Sequence, residues 1–148
     1  MKVANTIDIK NKRAGFEYAF IEKYSAGIQL TGTEIKSVRD GKVNFTDSFC
    51  VIHDAEIFVK NMHISQYTEG SYNNHEPKRT RKLLLTKKEI KKLTNKMKEK
   101  GLTIVPIRIF ISERGFAKLE IALARGKKSY DKRQDMKEKD AKRAIREY

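Results

Sequence analysis

The sequence predicts a mainly β fold: a small antiparallel barrel with two to three helices outside it and a basic C-terminal tail. About seven short segments alternate apolar and polar residues with the period of a strand. Helix-capping signals are confined to two segments. Because a sheet of such short strands has edges to protect, we expect it to close on itself. We divide the 148 residues into a body, 1–125, and a tail, 126–148.

The first strands of the body follow a short basic turn at 11–14. A strand is predicted over 16–24, Gly27 interrupts it, and a second short strand covers 28–30. Three aromatic side chains share the face of the first strand that we expect to be core: Phe16, Tyr18 and Phe20.

Two helices are predicted from their caps. Thr33 has the character of an N-cap and Gly41 that of a stop, which predicts a helix of two turns. A capping box from Thr86 to Glu89 begins the second helix, and Gly101 ends it. The second helix has an apolar stripe that we expect to be buried: Ile90, Leu93 and Met97.

Two hairpins complete the body. Segments 49–53 and 56–64 form one, and segments 103–112 and 116–124 form the other. Pro106 indicates an edge or a bulge in the second hairpin. In its last strand, the residues at odd positions from Ala117 to Leu123 are expected inward, and Lys118, Glu120 and Ala122 outward.

The tail is rich in charge and poor in apolar residues. It holds nine Lys or Arg residues and five Asp or Glu residues, a composition that cannot bury a core of its own. Its apolar residues Ala141, Ala144, Ile145 and Tyr148 follow helical spacing. We therefore expect a segment that is disordered alone and ordered by RNA; a merely solubilising tail is the alternative.

The net charge of +14 indicates a phosphate-rich partner. No apolar run approaches the ~20 residues of a spanning helix, and the N-terminus has no signal-peptide pattern. We expect a soluble, cytoplasmic protein with no membrane partner. Cys50 lies in an apolar stretch, where a small buried side chain is the expected role.

Binding is expected rather than catalysis. His53, His63 and His75 are too far apart for a helical metal pair, and one cysteine cannot complete a zinc site. The chain has no phosphate-binding glycine loop and no nucleophile elbow. We predict no cofactor, no metal and no catalytic residues. A small nuclease is the alternative from the class of enzymes.

Cations instead gather in four separate groups at turns and element ends. Lysine and arginine at such places meet phosphates, and arginine also stacks on bases. Since no exposed aromatic platform is predicted, we favour folded RNA over unstructured strands. The groups are Asn11-Lys12-Arg13, Lys36 with Arg39, 78–82, and Lys127-Lys128 with Lys132-Arg133.

The same groups carry a resemblance that runs through nearly the whole chain. The blocks 11–18, 27–39, 77–85 and 126–133, in this order, resemble the SsrA-binding protein family, also called small protein B. The resemblance implies a barrel similar to the oligonucleotide-binding (OB) fold with helices packed outside. It also implies binding of the tRNA-like domain of transfer-messenger RNA (tmRNA) and its delivery to stalled bacterial ribosomes for trans-translation.

The resemblance further implies partners and site residues. The partners are tmRNA, the ribosomal decoding centre and messenger channel, and the complex of alanyl-tmRNA with elongation factor Tu. The implied RNA-binding residues of the body are Asn11, Lys12, Arg13, Glu34, Lys36, Arg39, Arg79, Arg81 and Lys82. The implied ribosome contacts of the tail are Lys127, Lys128, Tyr130, Asp131, Lys132 and Arg133.

Three positions qualify these assignments. Leu84 is expected to support the core, whereas Gly15 and Ser25 depart from the family pattern. A general OB-fold, cold-shock-like or ribosomal RNA-binding protein is the alternative function.

Overall fold

The computed structural model describes residues 7–68 and 74–127. Its secondary structure is mainly antiparallel β, as predicted, with three helices. The strands are β1 Asp8–Lys10, β2 Tyr18–Ile28, β3 Val43–Asn44, β4 Phe49–His53, β5 Glu56–Lys60, β6 His63–Ile64, β7 Arg81–Leu84, β8 Leu102–Ile111 and β9 Ala117–Gly126. The helices are α1 Lys12–Glu17, α2 Gly32–Arg39 and α3 Lys87–Lys96. None of these helices is both long and apolar enough to cross a membrane.

Six strands pair in a closed ring, in the order β8, β4, β5, β7, β2, β9 and back to β8. Strand β1 adds to β8 outside the ring, and β3 pairs separately with β6. Closure gives each of the six strands a neighbour on both sides, which removes the exposed edges of an open sheet. The predicted closure is therefore present in the pattern of strand pairing.

Strand β2 differs from its prediction in length and in its start. It is one strand of 11 residues rather than two, because Gly27 pairs with both Leu84 and Lys118 instead of interrupting it. A Cβ on Gly27 would lie 3.3 Å from the Cβ of Leu84, so glycine serves the close approach of two strands. The predicted basic turn at 11–14 is instead the beginning of helix α1, and Phe16 belongs to this helix and not to the strand.

The two longer helices begin at capping boxes. The Thr86–Glu89 box of α3 is confirmed, but the N-cap of α2 is Thr31 and not Thr33. Thr31 is favoured because Glu34 stands three residues beyond it and completes the reciprocal pair. Thr33 instead forms a hydrogen bond of 2.9 Å with the His75 ring.

Both predicted hairpins are present, but the strand predicted over 56–64 ends at Lys60, and His63–Ile64 pair with β3 instead. Asp54 and Ala55 between β4 and β5 have φ of 49° and 61°, the positive pair that suits a tight hairpin turn. Between β8 and β9 the turn has Gly115 at φ 86°. The register of this hairpin shifts after Pro106, where a bulge was one of the two expectations.

The β8–β9 hairpin is buried on both faces at its centre. Residues 104–107 and 121–124 are all buried, so Ala122 lies on the outer face, as expected, but is not exposed there. The reason is α1, which places Ala14 over the outer face and forms a second apolar cluster there. Tyr18 and Phe20 are half-buried and pack against this second cluster, not in the main core.

Helix α3 packs its predicted stripe on the barrel. Ile90 and Leu93 are buried, and Met97 is partly buried. On β2, Glu22 accepts a hydrogen bond of 2.5 Å from Tyr24 and forms ion pairs with Lys92 and Lys96 of the helix. These interactions lower the pKa of Glu22 to about 2, chiefly through the Lys96 hydrogen bond.

A buried ion cluster joins α2 to β7 and to the segments beside it. Glu34 and Arg81 have no exposed side-chain surface, and the Arg81 Nε donates to Glu34. Arg79 Nη2 donates to the other carboxylate oxygen at 2.7 Å. The remaining Arg81 nitrogens donate to the carbonyl oxygens of Met62, at 2.7 Å, and Pro77, at 3.0 Å. Each buried charge therefore has a partner, the condition under which such a cluster is tolerated.

The cluster keeps Glu34 ionised. Burial by itself would raise the pKa of Glu34. The hydrogen bond from Arg79, the backbone N–H of Thr31 and the charge of Arg81 outweigh burial and lower that pKa to about 2.

The first prediction concerns this cluster. Replacing Glu34 by Gln leaves Arg81 buried without its counter-charge, so the free energy of unfolding in urea should fall by about 3–5 kcal/mol at neutral pH. Because the folded pKa of Glu34 is depressed, its stabilisation is complete above pH ~5 and is lost as pH falls towards ~2. The difference in free energy of unfolding between wild type and Glu34→Gln should therefore become smaller below pH ~4.

Glu56→Gln is the matched control, because Glu56 forms an exposed ion pair with Lys82. Its loss should stay under about 1 kcal/mol. If Glu34→Gln lowers the free energy of unfolding by the same amount at neutral pH and at pH ~3, the first prediction is wrong.

The second prediction concerns β7, where the structure corrects the expectation for Leu84. The strand alternates Arg81 in, Lys82 out and Leu83 in, so Leu83 is 1% exposed and Leu84 is 49% exposed. Leu83→Ala should lower the free energy of unfolding by about 2–5 kcal/mol, and Leu84→Ala by less than about 1 kcal/mol. Urea unfolding of the two variants measures this difference; equal losses would contradict the observed register.

Candidate nucleic-acid interface

The predicted cations near the start of the body belong to α1. Asn11 caps the helix by accepting from the Ala14 N–H, and its Nδ2 donates to the Pro106 carbonyl at 2.8 Å. Asn11 is therefore tied to the barrel and half-buried. Lys12 and Arg13 are exposed, and Arg13 pairs with Glu17 one turn along the helix. Two cations thus lie at the surface on a fixed helix.

These cations border an open cavity of about 850 Å³ between α1 and segment 43–49. Lys12, Arg13, Tyr18 and Phe49 are among its lining residues. Phe49 is 37% exposed. The cavity thus offers cationic side chains for phosphate beside an aromatic ring on which a base can stack.

A second basic surface lies on α2. Lys36 and Arg39 are three residues apart and therefore neighbours on one helix face, and both are exposed. The Lys36 Nζ lies 5.4 Å from the centre of the Tyr67 ring. Tyr67 belongs to the loop between β6 and β7, so this loop and α2 form one surface.

Hydrogen bonds hold the described ends of that loop against the body. The buried His75 ring contacts Thr33 through Nδ1, and its Nε2 donates to the Ile64 carbonyl at 2.8 Å. The side chain of Asn74 donates to the Tyr67 carbonyl at 2.7 Å. Residues 69–73 of the loop lie outside the described residues.

The third cation group divides between the interior and the surface. Arg81 is buried with Glu34, so neither presents its charge to solvent. Arg79 is 38% exposed and reaches Glu34 and the Gln29 carbonyl, and Lys82 pairs with Glu56 at 3.2 Å. Of the predicted site residues, Lys12, Arg13, Lys36, Arg39, Arg79 and Lys82 have surface exposure, while Asn11, Glu34 and Arg81 position their neighbours.

An exposed apolar patch was missed from the sequence. Leu84 and Phe116, which is 64% exposed, line a shallow cavity of about 350 Å³ together with Lys118. The signal was available in the register of β7, which sends Leu84 outward once Leu83 is placed inward. Large apolar side chains beside a cation form a surface that suits an unpaired base.

Cys50, His53 and His75 lie in three different surroundings. In the described ranges, no three His, Cys, Asp or Glu side chains lie close enough to hold a metal ion. His53 lies at the surface beside Asp54, and His75 is held by structural hydrogen bonds. Burial raises the pKa of the Cys50 thiol.

The root of the tail is fixed to α1. Gly126 is the last residue of β9 and pairs with Tyr18. The Lys127 backbone N–H donates to the Glu17 carbonyl at 2.9 Å, and its Nζ donates to the Gly15 carbonyl at 3.1 Å. The described contacts with the body therefore extend two residues past 125. The other predicted tail contacts lie outside the described residues: Lys128, Tyr130, Asp131, Lys132 and Arg133.

Comparisons with known proteins agree on one family. The family model for "SmpB protein" matches residues 8–148. The chain is 60% identical over 139 residues to the SsrA-binding protein of Phocaeicola vulgatus, covering 94% of this chain and 93% of that protein. It is 54% identical over 144 residues to the SsrA-binding protein of Parabacteroides distasonis, covering 97% and 94%.

A solved structure is similar in both fold and sequence. One chain of "tmRNA-SmpB: a journey to the center of the bacterial ribosome" superimposes with a TM-score of 0.72 at 49% identity, covering 84% of this chain and 87% of that chain. The fold, the family model and the relatives are in agreement, and the chain belongs to the SmpB family.

Proposed function

We propose that this protein binds tmRNA and acts with it on the ribosome in trans-translation, as an RNA-binding factor and not as a catalyst. The observation that carries the proposal is the family match over residues 8–148, whose relatives are SsrA-binding proteins. The similar solved structure places a member of the family with tmRNA and the bacterial ribosome.

The geometry supports recognition of a folded RNA by its backbone. Lys12 and Arg13 on α1, and Lys36 and Arg39 on α2, are exposed on helices that are anchored to the barrel. Lysine acts as a point charge towards phosphate, and arginine forms a planar fork. Because the positions of these groups are fixed before binding, they suit an RNA whose phosphates are also fixed.

The buried cluster has a positioning role in this proposal. Glu34 holds Arg79 at the surface beside α2 and holds Arg81 beneath it. Arg79 is thereby held at the start of α2, against Glu34 and the Gln29 carbonyl. Leu84, Phe116 and Lys118 provide an apolar contact for a base that is unpaired in the folded RNA.

The tail carries the second half of the proposed function. Lys127, Lys128, Tyr130 and the Asp131–Arg133 run are proposed to contact the small-subunit decoding centre and the messenger channel. Their cations suit ribosomal phosphates, and the Tyr130 ring suits stacking on a base, which contributes roughly 1–3 kcal/mol. Contact with the elongation factor Tu complex and a cytoplasmic location stay predictions.

The third prediction tests the α2 surface. The double change Lys36→Gln and Arg39→Gln should weaken binding to the tRNA-like domain about tenfold and lower the slope of log affinity against log salt by about 2. Fluorescence anisotropy over a salt series measures both quantities. The double change Lys23→Gln and Lys60→Gln removes equal charge from exposed strand residues and is the matched control.

An equal effect of the two double changes would mean that net charge alone drives binding. Competition sharpens the test, because the proposed function requires the tRNA-like domain to displace an unstructured RNA of equal length. The reverse order would favour a general cold-shock-like RNA binder.

The fourth prediction separates the body from the tail. A protein that ends at Lys127 keeps all of β9 and the contacts of Lys127 with α1. It should bind the tRNA-like domain within about twofold of the full chain, because the proposed body contacts are intact. It should fail to support alanine transfer from alanyl-tmRNA on a stalled ribosome; equal transfer by both proteins would contradict the tail's role.

A further inference from the structure

Helix α3 carries a lysine face that the proposed function has not used. Lys87, Lys88 and Lys91 are exposed and form no ion pair within residues 7–68 and 74–127. Lys92 and Lys96, on the other flank of the helix, pair with Glu22 of β2. Glu22 thus neutralises charge on one flank of the helix, while the flank with Lys87, Lys88 and Lys91 stays cationic.

This arrangement is unfavourable to the helix itself. Lys87 and Lys91 are four residues apart, and Lys88 and Lys91 are three apart, so like charges are neighbours on the surface. Lys87 and Lys88 also lie in the first turn, where the helix dipole disfavours cations. Glu89, the acidic residue of that turn, is occupied in the capping box with Thr86.

The lysine face is held in a fixed orientation. Ile90 and Leu93 anchor the helix in the core, and Glu22 ties its other flank to β2. Just past the helix, Glu99 pairs with Arg125 of β9 at 3.0 Å. The three lysines therefore need to order only their own side chains when they meet a ligand, which lowers the entropic cost of binding.

The chemistry of the face favours the backbone of an RNA duplex. Helix α3 contains no aromatic residue and no arginine, so it offers no ring or planar guanidinium on which an unpaired base can stack. Lysines spaced over one helical turn, about 6 Å along the axis, are suited to a row of phosphates. Paired RNA presents such a row while its bases remain stacked inside.

We propose that Lys87, Lys88 and Lys91 form an additional binding surface for the phosphate backbone of an RNA duplex, separate from the cation groups of α1, α2 and β7. This inference rests on the proposed function, since it adds a second RNA contact to an RNA-binding protein.

The test uses the full chain and a mixed-sequence RNA duplex of about 20 base pairs. The double change Lys87→Gln and Lys91→Gln should weaken duplex binding about tenfold near 0.15 M salt and lower the salt slope by nearly 2. It should leave thermal stability unchanged or raised, because it relieves repulsion within α3. Lys87→Arg with Lys91→Arg should retain duplex affinity, and Lys23→Gln with Lys60→Gln is the charge-matched control.

Three outcomes would overturn the inference. One is unchanged duplex binding by the α3 variant, and another is an equal loss in the charge-matched control. The third is that the α3 double change weakens binding of a polyglutamate peptide as much as it weakens binding of the duplex. That result would mean that the lysine face binds any polyanion.

Parallel competition with the tRNA-like domain separates this inference from the proposed function. If the wild type prefers that domain over unstructured RNA but the α3 variant binds duplex normally, only the inference fails. If the wild type prefers unstructured RNA, the proposed function fails whatever α3 does.

Discussion

The Glu34 carboxylate is the interaction on which the arrangement of the basic surface depends. One oxygen receives Arg79 and the other receives Arg81, so a single buried anion connects α2 with β7 and the loop that precedes it. Arg81 extends the connection to the Met62 and Pro77 carbonyls. Because the Glu34 side chain is buried, salt in the solvent screens these ion pairs only weakly. Helix α2, which carries Lys36 and Arg39, is consequently fixed to β7 and to Arg79.

The closed ring gives that surface a frame. The β8–β9 hairpin is buried on both faces at its centre because α1 covers the outer side. The same helix carries Lys12 and Arg13 and receives Lys127 at the root of the tail. A basic surface, a layer of the core and the exit of the tail are therefore parts of one local structure. RNA bound near α1 would meet the chain close to the point where the tail begins.

Local signals in the sequence were enough for some features and not for others. The Thr86–Glu89 box and the β8–β9 hairpin depend on neighbouring residues, so they could be predicted. The burial of Ala122 on the outer face could not, because it depends on α1, more than 100 positions away. Glu34 and Arg81 also look like surface residues in any local pattern. Their burial depends on an ion pair across 47 positions, which no periodicity records.

The net charge of +14 is not spread evenly over the surface. Arg81 stabilises the interior, Arg108 is occupied by Asp8 and Glu120, and Lys96 by Glu22. A cation with a carboxylate partner gains less from a phosphate, because the partner must first be released or left unpaired. The exposed cations that lack such partners in the described part of the chain are those able to gain most from RNA. Net charge indicates that a polyanion is bound, whereas the distribution of the acidic partners determines which faces bind it.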